Sequence, residues 1–375
     1  MEQRLQFVEE RGRGLYTMTE LCERFGIRRK TGYKWVDRFK EEGKRGLVDR
    51  SRAPRRCRHR MSPEVEELLV VTKKAHPTWG AGKLLDYLRP RHVGLKWPAK
   101  STAGDLLKRL GLTKKKRRRQ KPVHPGVVAP VTKEPNDIWT VDFKGQFRTG
   151  DGVYCYPLTV LDLHSRCLLA CHGLPSTKGE GVRPVFERLF KKYGLPKAIR
   201  SDNGVPFATT AVHGLSVLNV WWMRLGIVHQ RIAPGCPQQN GAHERMHKTM
   251  KAEACRPARS NMKCQQKAFD AFREEYNNER PHESLDGETP GSRYVESRHR
   301  YNGDLPLLKY PSHYLVKRVT EGGTVRLKQG KLLYLSTALV GSHVGFEEIE
   351  DGTWSVYFGV VLLGRVDETE ATLRF

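Results

Sequence analysis

The run Lys114-Lys-Lys-Arg-Arg-Arg-Gln-Lys121 constrains the architecture of this chain more than any other feature. Seven cations in eight positions repel one another and cannot enter a core, so the run stays extended until it meets a polyanion. Pro122, Pro125, Pro130 and Pro135 follow and keep the segment out of regular helix. Residues 113–135 therefore read as a basic, Pro-rich linker, and the chain must build separate cores on either side of it. A length of 375 residues points the same way, to two to four domains.

The formal net charge is +26, and it is unevenly spread. Residues 1–133 hold 35 Lys and Arg against 14 Asp and Glu, and the remainder is nearly balanced. A basic front half implies a polyanionic partner engaged mainly through the N-terminal part. An anionic membrane is the rival, but the basic stretches have no long apolar run beside them. No segment approaches the ~20 apolar residues of a membrane span. The start, MEQRLQFVEERGRG, has no apolar signal-peptide core, so the chain reads as soluble and intracellular. The eight cysteines form no C-x-x-C pair and no zinc module, and they are expected to be reduced. Cys167 and Cys171 read as core filling.

Residues 1–56 carry helix-turn-helix grammar. Thr17 or Thr19 can cap a short helix, Leu21 and Phe25 give it an apolar face, and Gly26 permits the tight turn. Ile27 would pack between the helices, while Tyr33, Trp35, Val36 and Phe39 anchor the second one. Its exposed start and flank present Arg28, Arg29, Lys30 and Lys34, as a recognition helix does in the major groove. From Gly43 to Arg60 the chain reads as an extended basic arm, with Arg55 and Arg56 able to follow phosphates or enter a minor groove.

Residues 57–112 read as a second helical unit. Ser62 and Pro63 start a helix, Ala81–Leu88 is a second, and Ala99–Leu110 a third, with Ser101 or Thr102 near its start. Lys100 and Ser101 are its candidate DNA contacts, and Lys115, Arg117 and Arg118 are those of the linker. Helical packing without DNA contact is the alternative.

From Asn136 to about residue 298 the texture is α/β. Strands are expected at 138–143, 153–163, 166–174, 197–201 and 227–232, and helices at 177–193, 215–225 and 239–255. Three strands in a meander followed by helix–strand alternation imply a mixed sheet with helices on its faces. Asp162-Leu-His-Ser-Arg166 turns between two strands. Asp142 is an unusual choice inside a strand unless it faces a cleft. Asp202 stands where a strand ends, the place where open α/β sheets receive ligands. Glu244 lies on a helix after the loop Ala233-Pro-Gly-Cys-Pro-Gln-Gln-Asn-Gly241. Three acids on three elements can share divalent cations, and hard oxygen ligands suit Mg²⁺ or Mn²⁺. Two ions about 3.5–4 Å apart would activate a water or 3′-hydroxyl and stabilise the leaving oxygen. Asn240, Glu244, Lys248 and Lys251 share one helix face, so both lysines can grip a DNA end beside the acid. A salt bridge from Glu244 to Lys248 is the competing reading. Asp162 and Glu253 are weaker site candidates, and His243 and His247 flank the site without being needed as ligands.

IWTVDF, IRSDNGVPF and APGCPQQNGAHER, in that order, resemble the three signatures of the integrase-core transposases of bacterial insertion sequences. A trailing Tyr276-Asn277, Arg280-Pro281-His282, Leu285 and Thr289-Pro290 is similar to the family's closing motif. The resemblance implies a ribonuclease-H-like core and a catalytic, metal-binding Asp142–Asp202–Glu244 triad. It implies a DNA transposase that cleaves element ends and joins their 3′-hydroxyls to target DNA. The implied partners are double-stranded DNA, as terminal inverted repeats and target, and at least a second copy of the chain. The implied location is the bacterial cytoplasm, at the nucleoid. One departure is that 41 residues separate Asp202 from Glu244, more than the family's common spacing, which reads as a longer helix around Leu215–Trp222. A nuclease that cuts without joining and a non-catalytic DNA-binding regulator remain as rivals.

Residues 299–375 alternate as five or six short strands with Gly322-Gly323, Gln329-Gly330 and Asp351-Gly352 as turns. They are expected to close into a small all-β barrel similar to the SH3-like end domain of integrases.

Overall fold

The computed structural model describes residues 1–50, 61–113, 132–209, 214–233, 240–327 and 330–374. Arg55, Arg56, Lys115, Arg117 and Arg118 lie outside the described residues. Two compact units are formed, Met1–Arg60 and Met61–Phe375. No helix among the described residues is long and apolar enough to cross a membrane.

The first unit packs α1 (Glu2–Gly12), α2 (Met18–Arg24) and α3 (Arg29–Glu42). Thr17 caps α2: its hydroxyl accepts from the Glu20 N–H while the Glu20 carboxylate accepts from the Thr17 N–H. Gly26, at φ +62°, makes the turn into α3. The first helix was not anticipated, because only Leu5, Phe7 and Val8 give it an apolar side. Phe7 is nonetheless fully buried and meets Phe25 and Trp35 edge-on at 5.3 and 5.5 Å.

Two expectations for this unit are corrected. Tyr33 does not anchor α3 but is 47% exposed. The inward stripe runs instead through Gly32, Trp35, Val36 and Phe39, the i, i+3, i+4, i+7 positions of one face. The stretch after α3 is not an extended arm from Gly43 onward. It winds into a 3₁₀ turn over Gly43–Leu47 that buries Leu47 in the core, since an apolar side chain outweighs the basic residues around it.

The second unit opens with three helices, α4 (Pro63–Ala75), α5 (Ala81–Leu88) and α6 (Lys100–Arg109), around Leu69, Trp79, Leu84, Leu85 and Leu107. They continue into an α/β core. Its sheet runs β4-β3-β1-β5-β6, with β1 (Ile138–Phe143), β3 (Tyr154–Asp162) and β4 (Leu168–Leu174) antiparallel. β5 (Ala198–Ser201) and β6 (Val228–Arg231) run parallel to β1, and the short β2 (Phe147–Arg148) extends the edge of β3. The helices α7 (Gly179–Tyr193) and α8 (Val217–Arg224) cover one face through Val182, Phe186, Phe190, Trp221 and Trp222. The other face is covered by α9 (Gly241–Glu253) and α10 (Met262–Asn278), through Met246, Met250, Phe269 and Phe272. α8 has eight residues, so it is not the longer helix expected around Leu215–Trp222. A short α11 (Pro290–Arg293) follows.

The C-terminal strands are where expected, but they do not close into a barrel among the described residues. β7 (Leu315–Arg318), β10 (His343–Glu350), β11 (Thr353–Phe358), β12 (Val361–Asp367) and β13 (Leu373–Arg374) form an open sheet. β8 (Thr324–Arg326) and β9 (Leu332–Tyr334) form a separate hairpin. Hairpin and sheet share one apolar core, to which Leu215 and Val220 of the α8 segment contribute. That extra wall closes the core without edge-to-edge strand pairing.

Candidate active site

Strand alternation builds the site. Trp139 and Val141 of β1 enter the core beneath α7 and α8, which turns Thr140 and Asp142 toward α9. Across the antiparallel register Asp142 faces Thr159 of β3. The buried His243 and His247, one turn apart on α9, seat the helix on these residues. Nδ1 of His243 is 2.8 Å from the Thr140 hydroxyl. The Thr159 hydroxyl lies 2.6 Å from Nε2 of His243 and 2.7 Å from Nε2 of His247, and it donates to the Asp142 carbonyl at 3.0 Å. A hydroxyl has one proton. With that proton on the Asp142 carbonyl, both Nε2–H groups donate to Thr159, and Nδ1 of His247 faces the Asp142 carboxylate at 3.7 Å. Burial pushes His243 down to about 3 and His247 down to about 2, so both rings are neutral.

This clamp sets the position of the first acid. Burial raises Asp142, and the charges of Asp202 and, more weakly, Glu244 raise it further. The Phe143 N–H and Lys144 oppose them, and the result is about 7. Asp142 and Glu244, 102 positions apart in sequence, open on one cleft with Lys144, His247, Lys248 and Lys251. No ion pair joins Glu244 to Lys248 among the described residues. Both side chains are exposed. Lys144 was not singled out from the sequence, although its place two residues after a strand aspartate was visible.

Asp202 follows β5 directly and accepts from the Gly204 N–H at 3.1 Å, so its carboxylate folds over its own turn. Asn203 ties this turn to the end of β6 by donating to the Ile232 carbonyl at 3.0 Å. Among the described residues no three His, Cys, Asp or Glu side chains stand close enough to ligate one ion together. The donor chemistry nevertheless suits a hard divalent cation. A carboxyl held near 7 by burial and two like charges is in the state that a bound cation relieves.

The remaining sequence candidates fall in different places. Asn240, at the start of α9, is buried with its Oδ1 unpartnered, unlike the exposed Lys248 and Lys251 of the same stripe. Arg28, Arg29, Lys30 and Lys34 are all exposed at the start of α3. Lys100 and Ser101 are exposed at the start of α6, where Lys100 approaches Glu283 at 3.8 Å. Asp162 is buried and holds the β3–β4 turn by accepting from the N–H groups of Asn136 and Ser165. Glu253 pairs with Arg280 at 2.7 Å.

Residues 132–237 and 225–290 match two integrase core domain families. Residues 3–55 match a helix-turn-helix domain, and residues 31–107 a homeodomain-like domain. An insertion element IS407 protein of Burkholderia multivorans is 28% identical over 177 residues, covering 46% of this chain and 59% of that protein. An insertion element IS476 protein of Xanthomonas euvesicatoria is 28% identical over 233 residues, covering 60% of this chain and 63% of that protein. The Gag-Pol polyprotein of avian reticuloendotheliosis virus is 32% identical over 139 residues, 34% of this chain and 11% of that protein. The chain thus spans less than two thirds of the length of the relatives it matches. Its resemblance to the integrase-core transposases of insertion sequences rests on these matches.

Proposed function

We propose that the protein is a DNA transposase: it binds the ends of an insertion sequence, cleaves them and joins their 3′-hydroxyls to target DNA. The observation that carries this reading is the cleft itself. Two carboxylates from distant parts of the chain, Asp142 and Glu244, open beside Lys144, Lys248 and Lys251. Acids that can bind metal, set among cations that can bind phosphate, suit a phosphodiester and its counter-ions. In this reading Asp142, Asp202 and Glu244 hold two Mg²⁺ or Mn²⁺ ions, with Asp202 turning from its own loop toward the cleft. When bound, the ions supply activation of a water or 3′-hydroxyl and stabilisation of the leaving oxygen.

The protein's own residues do the rest. The Thr140–His243 and Thr159–His247 contacts hold α9 against β1 and β3, so that Glu244 stays beside Asp142. Lys248 and Lys251 orient the DNA end. Arg28, Arg29, Lys30 and Lys34 at the start of α3 read the terminal repeat, and Lys100 and Ser101 contact phosphates. Two ends require at least two copies of the chain. Relatives that are insertion element proteins support this reading.

The test is a strand-transfer assay on terminal-repeat duplexes with Mg²⁺. Asp142→Asn, Asp202→Asn and Glu244→Gln should each abolish cleavage and joining while end binding stays within about twofold. Near-normal joining by any one of them removes that residue from the triad. Cleavage without joining by the unmodified protein would make it a nuclease, and binding alone a regulator.

A further inference from the structure

A second cleft, of about 550 Å³, opens along another flank of α9. Arg245 and Lys248 of α9, Arg166 of the β3–β4 turn, Lys83 of α5 and His282 beyond α10 line it. Lys248 borders both this cleft and the one holding Asp142 and Glu244. Among the described residues Arg166, Arg245 and Lys248 form no ion pair. The one acid in the wall, Glu283, leans toward Lys100 at 3.8 Å.

Three residues show that the lining of this cleft is assembled at a cost. Arg166 has φ +64°, a left-handed backbone uncommon for a residue with a Cβ. Burial and the neighbouring Arg245 both work against its charge. The Lys83 amine, which donates to the Pro281 carbonyl, is lowered to about 8 by burial and by Arg280. Nε2 of His282 is buried with no hydrogen-bond partner. Like charges that outnumber the single acid in the wall of a half-buried cleft are relieved by a bound anion.

We propose that this cleft binds the phosphodiester backbone of the same DNA strand whose scissile phosphate lies between Asp142 and Glu244. The proposal rests on the DNA reading above. Lys248 belongs to both clefts, so this group of cations continues into the active site, which suits a run of phosphates better than one free anion. The helical segment bearing Lys83 thereby supplies a wall of the DNA path close to the chemistry.

The experiment uses the full chain and a fluorescent terminal-repeat duplex, with binding followed by anisotropy between about 50 and 200 mM salt. Arg166→Gln with Arg245→Gln should reduce the slope of log affinity against log salt by about two. Joining rates at saturating DNA should fall at least about fivefold, since a lost positioning contact misaligns the strand. Arg166→Lys with Arg245→Lys should keep most of the slope. Arg188→Gln with Lys191→Gln, exposed on α7, should leave slope and rate unchanged. Should the double glutamine variant melt early, Lys83→Gln on α5 provides the measurement, with a slope loss of about one. If the unmodified chain fails to bind DNA, the DNA reading falls. If it binds and joins while the Arg166/Arg245 and Lys83 variants keep its slope and rate, the cleft proposal alone falls. Inorganic phosphate binding that is lost in the variants without any change toward DNA would make this a free-anion site and overturn it equally.

Discussion

At the residue scale the candidate site turns on how Asp142 is held. A carboxyl near 7 in the folded chain and about 3.9 when unfolded makes the native state bind a proton that the unfolded state has released. The proton-bound native form is fully favourable below about pH 4, and that contribution is lost as pH rises through 7. Without divalent ions, Asp142→Asn should therefore raise the melting temperature at pH 8 by at least about 3 °C. The gain should vanish at pH 4, where the native carboxyl is already neutral. Equal melting of the two proteins at pH 8 would remove the buried-charge account. Lys248 and Lys251 invite a kinetic test at the same scale. Lys248→Ala and Lys251→Ala should slow single-turnover processing of pre-bound ends more than they weaken binding. Lys248→Arg should recover part of the rate, because charge is kept while geometry changes. Unchanged rates in both alanine variants would rule out a grip on the scissile end.

Elements were easier to read than their contacts. Thr17, Ser62 and Gly26 mark helix ends and turns by local hydrogen bonding and backbone freedom, and they do so in the structure. Which face of α3 turns inward depended on a helix that sequence periodicity did not reveal. With α1 present, Gly32 becomes the crossing point: a Cβ there would stand 2.7 Å from Cys22 Sγ and 2.8 Å from Phe7 Cζ. Gly32→Val should thus destabilise the first unit by about 1–3 kcal/mol through overpacking. It should also weaken recognition of terminal repeats, since α3 carries Arg28 to Lys34. Melting and end binding equal to those of the unmodified chain would show that the crossing has room to spare. The C-terminal strands repeat the lesson. Their alternation is local and was legible, whereas closure depends on what else covers the apolar face, and here a hairpin and α8 do so.

At the scale of the whole second unit, the three-helix segment and the core meet around Arg280. This guanidinium is buried, pairs with Glu253 at 2.7 Å, and lies 5.9 Å from the ring centroid of Trp79. Glu253 also accepts from the Thr78 hydroxyl, and His76 meets Glu275 at 2.9 Å. Removing Arg280 leaves the half-buried Glu253 carboxylate with only the Thr78 hydroxyl, so Arg280→Ala should cost about 3 kcal/mol. Arg280→Met combined with Glu253→Leu should recover much of that loss. Urea unfolding of the single and paired variants checks it, and a single variant as stable as the parent would mean that the junction rests on apolar packing alone.

The sequence by itself determined most elements of the α/β core and singled out its candidate acids. Both are written in local patterns: period-two and helical apolar spacing, helix caps, an aspartate inside a strand and another where a strand ends. The tertiary structure alone decided that Asp142 and Glu244 share a cleft while Asp202 turns onto Gly204. It likewise decided that His243 and His247 lock α9 onto Thr140 and Thr159, and that Arg166 and Arg245 line one second cleft. These outcomes depend on residues far apart in the chain. They are set by how helices settle on a sheet under packing and desolvation, which no local pattern encodes.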